Sequence, residues 1–309
     1  MKITDSIKIK DLELNTRIVM PPMATSKSQD GMIGDDMVEY YRLRAENPLV
    51  SLIITEHSYI AKEGIANPRQ VSISSDEDIE QLKKIVNAVH GAGKKIFAQI
   101  NHAGKVGKNP YELLDVDTMS KDDIDRIRTL FVDAAVRAYK AGYDGVEVHS
   151  AHSYLLNQFY SPLTNHRTDE YSAENIENRI RLHKEILEEI HEKLPDYPVS
   201  LRLGGCDYME GGSTIEDAVE ASMQLESLID LLSITGGMCI YQRKDNKDPG
   251  YFSDMSSAVK AKVSVPVLLT GGIKTTEDAE RLLNEGAADL IGIGRALLIN
   301  AEWPNAKKA

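Results

Sequence analysis

The sequence predicts a closed (β/α)₈ TIM barrel, and three observations carry that prediction. Short runs of β-branched and other apolar residues recur along the chain, as expected of strands buried on both faces. Amphipathic helical segments lie between these runs, and eight such units favour a closed barrel over an open doubly wound sheet. The turn after the first run also lacks the Gly-x-Gly-x-x-Gly pattern of an open dinucleotide-binding sheet. The predicted strands are 17–20, 51–55, 95–100, 145–149, 199–203, 229–234, 265–270 and 289–294.

The helical segments carry their own start and stop signals. Thr275 is followed three residues later by Asp278, a pattern typical of a helix N-terminus. Glycines at 93, 142 and 286 directly precede the next predicted strands, where a left-handed residue commonly ends a helix. Residues 1–12 come before the first strand, and we expect them to form a short N-terminal hairpin that caps the barrel floor. The predicted helical segments are 79–93, 125–142, 176–194, 214–225 and 275–286.

Composition and length bound the class of protein. A single barrel domain over 1–309 is consistent with the chain length of 309 residues. The formal net charge of −12 argues against a nucleic-acid partner, because phosphates would be repelled on average. Cys206 and Cys239 show no Cys-x-x-Cys spacing, which argues against a disulfide scaffold, an iron–sulfur cluster or a zinc site. The sequence has neither a signal peptide nor an apolar run long enough to cross a membrane, so we expect a cytoplasmic protein without a membrane partner.

Polar residues at the predicted strand ends are the candidates for chemistry, because the active site of a barrel lies at the carboxyl ends of its strands. Two long connections, 101–120 and 150–174, are candidate active-site loops for the same reason. The fifth strand contains an arginine between two leucines, and a buried arginine requires a partner. The candidates are Gln99, Asn101 and His102 after the third strand, His149, His152 and Tyr154 after the fourth, Arg202 in the fifth, and Gly271, Gly272, Gly294 and Arg295 after the last two.

Each candidate set has more than one interpretation. The glycine turns at 271–272 and 294 with Arg295 suit a phosphate, the usual ligand at this position in a barrel, although the glycines could also serve only as tight turns. Arg202 could bind an anionic ligand or pair with a barrel carboxylate such as Glu56 or Glu147. His149 and His152 could ligate a metal, but no third ligand stands at a suitable spacing. They could instead donate hydrogen bonds to a carbonyl or phenolate oxygen beside a neutral Tyr154.

Taken together, these segments resemble the Old Yellow Enzyme family of FMN-dependent ene reductases over nearly the whole chain. The fourth-strand segment is the most specific part of the match. The matching segments are RIVMPPMAT, LIITEHSYI, QINHAGK, GVEVHSAHSYLLNQFYSPLTNHRTDEYSAENIENRIRL, VSLRL, LLTGGI and DLIGIGRALL.

The resemblance implies an FMN cofactor and a role for each candidate. It implies backbone contacts to the flavin from Pro22, Met23 and Ala24 and from the N–H of His57. Gln99 and Arg202 would face the pyrimidine ring, where a fixed cation favours reduction. It implies that Gly271, Gly272, Gly294 and Arg295 hold the phosphate, that His149 and His152 hold the substrate oxygen, and that Tyr154 delivers a proton.

The implied reaction is a ping-pong reduction of an activated C=C bond. NADH or NADPH gives hydride to flavin N5 and leaves, and an α,β-unsaturated carbonyl compound takes the same place. Hydride then passes from N5 to the β-carbon while Tyr154 protonates the α-carbon. The implied partners are thus the nicotinamide donor and a small enone-type substrate, and assembly into a homo-oligomer is left open.

The sequence departs from the family pattern at a few positions. Ala24 stands where relatives carry Thr or Cys, so the flavin potential is expected to differ. His57 replaces a small residue, although the implied contact is through its backbone. Larger relatives continue beyond this point into a Cys-rich segment and a further domain, so both a single-domain protein and the barrel part of a longer one stay open.

Three other functions remain as alternatives. The first is a flavin NAD(P)H oxidase or dehydrogenase barrel, related to dienoyl-CoA reductases or amine dehydrogenases. The second is a flavin-free aldolase or isomerase, which requires a catalytic Lys or Glu at a strand end; Glu56 and Glu147 exist there, but no strand ends in Lys. The third is a flavin-binding module without ene reduction.

Overall fold

The computed structural model describes residues 1–305, and residues 306–309 of the predicted domain lie outside that part. The strands are β1 (Ile7–Ile9), β2 (Leu12–Leu14), β3 (Ile18–Met20), β4 (Val50–Ile54), β5 (Ser58–Tyr59), β6 (Lys95–Asn101), β7 (Gly145–Ser150), β8 (Val199–Cys206), β9 (Leu231–Gly236), β10 (Val267–Leu269) and β11 (Leu290–Gly292). Eight of them pair in parallel in the order β3, β4, β6, β7, β8, β9, β10 and β11, and β11 pairs with β3 again. The predicted closed (β/α)₈ barrel is therefore confirmed. β5 is the ninth strand of this sheet and pairs with the end of β6, outside the closed ring.

The register of the strands places several of the predicted site residues next to one another. Gln99 on β6 is paired with Glu147 on β7, and His149 on β7 is paired with Arg202 on β8. Side chains alternate along a strand, so residues 147 and 149 share one side of the sheet. The pairing thus brings residues that are far apart in the sequence to one end of the barrel.

An antiparallel hairpin caps the opposite end of the barrel. β1 and β2 pair from Ile7 opposite Leu14 to Ile9 opposite Leu12, so the hairpin extends two residues past the predicted end at residue 12. Ile9 and Leu14 are buried in a hydrophobic cluster that is separate from the larger core and smaller than it. Their partners there come from the barrel strands and include Val19, Leu52, Ile54, Phe97, Leu231, Leu268 and Leu290. The hairpin therefore seals the barrel floor, as the sequence suggested.

The helices connect the strands on the outside of the barrel. They are α1 (Asp35–Ala45), α2 (Ile79–His90), α3 (Lys121–Ala141), α4 (Leu155–Tyr160), α5 (Ile176–Arg179), α6 (Arg181–Lys193), α7 (Ile215–Leu225), α8 (Ser253–Lys260), α9 (Thr276–Asn284) and α10 (Arg295–Ile299). Thr275 caps α9 by accepting a hydrogen bond from the Asp278 N–H, as predicted. Gly93, Gly142 and Gly286 all have positive φ angles, of 72°, 90° and 74°, which explains why glycine stands at these three stops.

Several helical features lay outside the prediction. Four helices, α1, α4, α8 and α10, have no counterpart among the predicted segments, and the predicted helix 176–194 divides at Ile180 into α5 and α6. α1 is hard to recognise because its buried face is not aliphatic. That face includes Tyr40, Tyr41 and Arg44, and the Arg44 guanidinium lies 3.5 Å from the centre of the Tyr40 ring.

Long connections gather at the carboxyl ends of the strands. The predicted loop 150–174 contains the short helix α4, which begins just after Tyr154. A further connection between β9 and α8, residues 237–252, was not singled out in the sequence, although it also borders the site. Within residues 1–305, no helix has both the length and the apolar character needed to cross a membrane.

Candidate active site

One cavity of about 650 Å³ opens at the carboxyl ends of the barrel strands. Eleven of the thirteen residues to which the resemblance gives a role line it: Pro22, Met23, Ala24, His57, His152, Tyr154, Arg202, Gly271, Gly272, Gly294 and Arg295. The further candidates Asn101 and His102 are fully buried and do not line it. The other two of the thirteen, Gln99 and His149, lie just behind the lining and are each about 1 % exposed. The structure therefore brings the predicted set together around a single space.

The turn after β10 is built for close approach to a ligand. Gly271 and Gly272 have φ angles of 130° and 70°, which favour glycine. A Cβ atom at Gly272 would lie 2.6 Å from Cε1 of Tyr251, and one at Gly271 would lie 3.0 Å from Cε2 of the same ring. The glycines are therefore required by both backbone conformation and space. They leave a bare backbone surface that can face an anion.

The turn after β11 completes this part of the cavity. A Cβ atom at Gly294 would lie 2.8 Å from the sulfur of Met23, so the two strand ends meet closely here. The Arg295 guanidinium donates a hydrogen bond of 3.4 Å to the Tyr251 hydroxyl, which itself donates to the carbonyl of Tyr241 at 2.5 Å. A guanidinium beside two glycine turns is a site suited to a phosphate group.

Arg202 is buried and lacks partners for much of its guanidinium. Within the described residues, its Nε and Nη1 atoms have no hydrogen-bond partner. Burial lowers the pKa of Arg202, and the nearby Glu147 carboxylate opposes that shift. Of the two carboxylates considered as partners from the sequence, Glu147 is hydrogen-bonded by Gln99 and Ser200, and Glu56 by Thr25. The free N–H groups of Arg202 therefore call for an acceptor from a bound molecule.

These features fit both ends of an FMN molecule, its phosphate and its flavin ring. The glycine turns and Arg295 can hold a phosphate, while the unsatisfied donors of Arg202 can face the electron-rich edge of a flavin ring. Gln99 donates through Nε2 to Glu147 at 2.8 Å and approaches His149 Nδ1 at 3.4 Å. Burial raises the pKa of Glu147, and Arg202 is the largest influence that opposes the rise.

Three aromatic side chains after β7 form one cluster. The ring centre of His149 lies 5.2 Å from that of His152 and 5.4 Å from that of Tyr154. Burial holds the pKa of both histidines well below the ordinary value, and for His149 the neighbouring His152 adds to the effect. Burial also raises the pKa of Tyr154. At neutral pH the cluster is therefore uncharged, with N–H and O–H groups that can donate hydrogen bonds.

The backbone that carries this cluster is strained and held in place. His152 and Ser153 have φ angles of 59° and 61°, a left-handed conformation that is uncommon for residues other than glycine. Two buried residues of α4 secure the turn: Asn157 accepts a hydrogen bond of 2.8 Å from the Ser153 N–H, and Gln158 donates one of 2.6 Å to the Ser153 carbonyl. His152 is further fixed by a 3.0 Å hydrogen bond with Thr235 at the end of β9.

The turn after β3 forms the opposite wall. Pro22, Met23 and Ala24 line the cavity in a segment without regular structure. This segment is tied to β4 through Thr25, whose hydroxyl donates to Glu56 at 2.6 Å. Burial raises the pKa of Glu56 to about 7. Ala24 itself offers no side-chain donor at this wall.

Several contributors were not predicted from the sequence. Tyr251, Tyr241 and Thr235 all line the cavity, and Tyr251 packs against both glycines of the β10 turn. Tyr241 and Tyr251 lie in the irregular connection 237–252, which has no periodicity to mark it. The signal that the sequence offers for them is the presence of two tyrosines in this one connection. Thr235 follows an apolar strand directly, and the rule that exposed strand ends carry chemistry could have found it.

A metal site receives no support from the described residues. Among residues 1–305, no group of three or more His, Cys, Asp or Glu side chains is arranged to hold a metal ion. His149 and His152 instead face each other edge to plane, with an angle of 78° between their rings.

A closed barrel with glycine turns suited to a phosphate and a buried, unsatisfied arginine has the features expected of a flavin-binding barrel enzyme. Comparison with known proteins agrees, since the model of the NADH:flavin oxidoreductase / NADH oxidase family matches residues 2–309. An NADPH dehydrogenase of Halalkalibacterium halodurans is 34 % identical, over 98 % of this chain and 93 % of its own length. The chain therefore belongs to the NADH:flavin oxidoreductase / NADH oxidase family, the family of FMN-dependent oxidoreductases that use NADH or NADPH, as the resemblance implied.

Two further comparisons define the extent of the similarity. The structure of an Old Yellow Enzyme homologue from Zymomonas mobilis superimposes with a TM-score of 0.83 at 28 % identity, covering 98 % of this chain and 91 % of that one. An NADH oxidase of Thermoanaerobacter brockii is 35 % identical over 97 % of this chain. This chain spans only 50 % of the length of that oxidase, so the similarity there concerns the barrel part.

Proposed function

We propose that this protein reduces the activated C=C bond of small α,β-unsaturated carbonyl compounds with NADH or NADPH as the electron donor. The observation that carries the proposal is the uncharged cluster of His149, His152 and Tyr154 next to the unsatisfied guanidinium of Arg202. A simple oxidase has no need of a proton donor and a carbonyl-binding pair above the flavin. A flavin-free aldolase or isomerase would not explain the free donors of Arg202.

In this proposal the wall formed by Pro22, Met23 and Ala24 would hold the face of FMN. Its phosphate would be held by Gly271, Gly272, Gly294 and Arg295, and its pyrimidine edge by Gln99, Arg202 and the backbone N–H of His57. When bound, FMN supplies the two-electron chemistry that links the nicotinamide donor to the alkene. Among the described residues no acceptor bonds Nε or Nη1 of Arg202, so these N–H groups are available to the flavin.

The two histidines would bind and polarise the carbonyl oxygen of the substrate. Each neutral imidazole carries one N–H, and for His152 the proton is on Nδ1 when the Thr235 hydroxyl donates to Nε2. The two rings meet at 78°, and in this proposal their N–H groups share the carbonyl oxygen as acceptor. Gln99 approaches Nδ1 of His149 with its amide N–H, which leaves the proton of His149 on Nε2. These donors stabilise the negative charge that develops on the oxygen as the double bond is reduced.

Tyr154 would hold the proton that the α-carbon receives. Tyr154 lines the cavity, and burial raises its pKa, so its hydroxyl stays protonated at neutral pH. The left-handed turn at His152 and Ser153 sets its direction relative to the histidines, and Asn157 and Gln158 hold that turn.

The proposal is tested by separating the two halves of the reaction. The holoenzyme is reduced with NADH or NADPH without oxygen, and the bleached flavin is then mixed with cyclohex-2-enone or with oxygen alone. We expect rapid reoxidation by the enone and release of cyclohexanone. Reoxidation by oxygen but not by any of a panel of enones would favour an oxidase, and failure of both nucleotides to bleach the flavin would rule out the reductase.

A further inference from the structure

Gln70 fixes the orientation of His57, a third imidazole in the wall of the cavity. The Nε2 atom of Gln70 lies 2.7 Å from Nδ1 of His57, and it donates a hydrogen bond of 3.2 Å to the His57 carbonyl. Its other end, Oε1, accepts a 2.7 Å hydrogen bond from the backbone N–H of Ala66. Because a backbone N–H can only donate, the oxygen of the Gln70 amide has to face Ala66, and the nitrogen has to face His57.

This arrangement determines which nitrogen of His57 carries the proton. Gln70 Nε2 is a donor, so Nδ1 of His57 accepts, and the single proton of the neutral ring resides on Nε2. Burial, with a further contribution from Arg202, lowers the pKa of His57 to about 4, so the ring is neutral at physiological pH. His57 therefore has one N–H, and its location is fixed by a residue outside the cavity lining.

The ring of His57 lines the cavity in which the substrate would lie, and its Nε2–H group has no partner among the described residues. Across residues 1–305, the hydrogen bond to Gln70 is the only one made by the His57 side chain. The His57 ring lines the cavity, and its centre is 5.3 Å from that of Tyr154 and 6.2 Å from that of His149. It is thus beside the proposed reaction centre with an unused donor.

The donor on His57 needs a different acceptor atom from the one that His149 and His152 would bind. A carbonyl oxygen has two lone pairs, and in the proposed function these two histidines use both. The ring of His57 is nearly parallel to that of His149, with 18° between their planes, whereas the rings of His149 and His152 meet at 78°. Nε2–H of His57 is thus left for an acceptor atom of its own.

We propose that Nε2–H of His57 is a further hydrogen-bond donor to the substrate, and that the site thereby prefers activated alkenes that carry a second acceptor oxygen. This inference rests on the proposed function, in which His149 and His152 hold the first oxygen. The substrate class is thus an unsaturated dicarbonyl compound or a comparable alkene with two oxygen acceptors. Gln70 acts as a positioning residue, because it sets the tautomer without touching the substrate.

Binding of two saturated ketones to the FMN-loaded enzyme tests the inference without turnover. Cyclohexanone has one carbonyl oxygen and cyclohexane-1,4-dione has two, and neither has a C=C bond to reduce. Dissociation constants are measured from the change in flavin absorbance or by calorimetry. One additional hydrogen bond is expected to make the dione bind about threefold to tenfold more tightly than cyclohexanone.

Three substitutions assign this preference to His57 and its tautomer. His57→Phe keeps a ring but removes the donor, and the ratio of the two dissociation constants is expected to fall to about one. Gln70→Glu can still accept from Ala66 but now also accepts from Nδ1 of His57. The carboxylate also favours the imidazolium, so this variant is measured at a pH at which the His57 ring is neutral. Its single proton is then on Nδ1, and the preference should be abolished too. His57→Gln restores an N–H at a similar reach and should keep it.

The outcomes separate this inference from the function on which it rests. A wild-type ratio near one, or a ratio that survives both His57→Phe and Gln70→Glu, would overturn the role of His57. If His57→Phe does not retain FMN, Gln70→Glu decides, because it leaves the imidazole in place. Reduction of cyclohex-2-enone by the wild-type enzyme tests the proposed function alone and does not depend on either ratio.

Discussion

At the scale of single residues, burial controls the charge of the side chains that would carry the reaction. Tyr154 keeps its proton because burial raises its pKa, and His149 and His152 stay neutral because burial lowers theirs. A neutral donor can bind a carbonyl oxygen or supply a proton without bringing a net positive charge next to Arg202. The shared environment therefore sets all three groups in the state that the chemistry requires.

Tyr154→Phe is expected to slow reduction of cyclohex-2-enone by about 10²–10⁴-fold, the usual contribution of a positioned proton donor. Reduction of the flavin by the nicotinamide should be unchanged, since that step takes no proton from Tyr154.

In the wild type, the raised pKa of Tyr154 means that the enone rate stays level through neutral pH. It should fall only at alkaline pH, above the ordinary tyrosine value of 10. Stopped-flow measurement of the two half-reactions across pH provides the check.

Tyr208→Phe serves as a matched control, because Tyr208 does not line this cavity and its hydroxyl bonds to Asp254. An equal loss in both variants would mean that Tyr154 has no special part in the reaction.

The residue types at the strand ends could be predicted from the sequence, but their supporting contacts could not. Arg202 and the glycines of the β10 turn are unusual for their positions, and a strand or turn pattern alone marks them. Gln70, by contrast, is one glutamine in an irregular loop. Its importance depends on the three-dimensional approach of Ala66 and His57, which no local pattern encodes.

At the scale of elements, glycines determine where the backbone can turn at the ends of helices and strands. Gly93 and Gly286 have positive φ angles, and a Cβ atom added at either would meet no other atom within 4 Å, so they are selected by backbone conformation alone. Gly271 and Gly272 are selected by conformation and by the Tyr251 ring together. The first pair serves stability and the second pair serves ligand approach.

Gly286→Ala should lower the free energy of unfolding by about 1 kcal/mol, because alanine is strained at the φ of 74° found there. The free energy is measured by urea unfolding of the FMN-loaded protein. Gly286→Asn is the matched control, since it adds a side chain in the same open space but asparagine adopts the left-handed conformation at a smaller cost. Equal destabilisation by the two substitutions would show that the left-handed conformation is not what glycine supplies at residue 286.

Arg295→Gln is expected to weaken FMN binding by about 10- to 100-fold, the loss of one or two charge-assisted hydrogen bonds. Riboflavin, which lacks the phosphate, should bind the variant and the wild type with similar affinity. Quenching of flavin fluorescence on titration with the apoprotein measures both affinities. If the affinity for riboflavin fell as much as that for FMN, Arg295 would not be a phosphate ligand.

The sequence predicted the regular elements better than it predicted their interruptions. The eight barrel strands and the glycine stops appear because periodicity and left-handed turns leave local signatures. The division of 176–194 at Ile180 and the polar buried face of α1 do not, since both depend on neighbours from other parts of the chain. The same holds for the connection 237–252, whose tyrosines become part of the site only after the barrel closes.

At the scale of the whole molecule, the two ends of the barrel have different tasks. The floor is closed by β1 and β2 and packed with aliphatic side chains around Ile9 and Leu14. The opposite end carries irregular connections, strained turns and buried polar groups without partners. Stability is concentrated at one end, so the other can tolerate the costs of a binding site.

Ile9→Ala is expected to lower the free energy of unfolding by about 2–5 kcal/mol, the usual cost of truncating a fully buried aliphatic residue. The affinity for FMN should stay the same, because Ile9 lies at the floor and the cofactor would lie at the mouth. Lys8→Ala, at the exposed neighbouring position of β1, should change the stability by less than about 0.5 kcal/mol. A loss of FMN affinity in Ile9→Ala that matched its loss of stability would show that the two ends are not independent.

The unpaired guanidinium of Arg202 also has a consequence for the fate of the protein in a cell. A ligand that binds only the folded chain adds about 1.4 kcal/mol to its stability for each tenfold excess over the dissociation constant. A chain made while flavin is scarce would keep a buried charge unsatisfied and would open more often to proteases. The abundance of this enzyme would then follow the supply of its vitamin-derived cofactor even at a constant rate of synthesis.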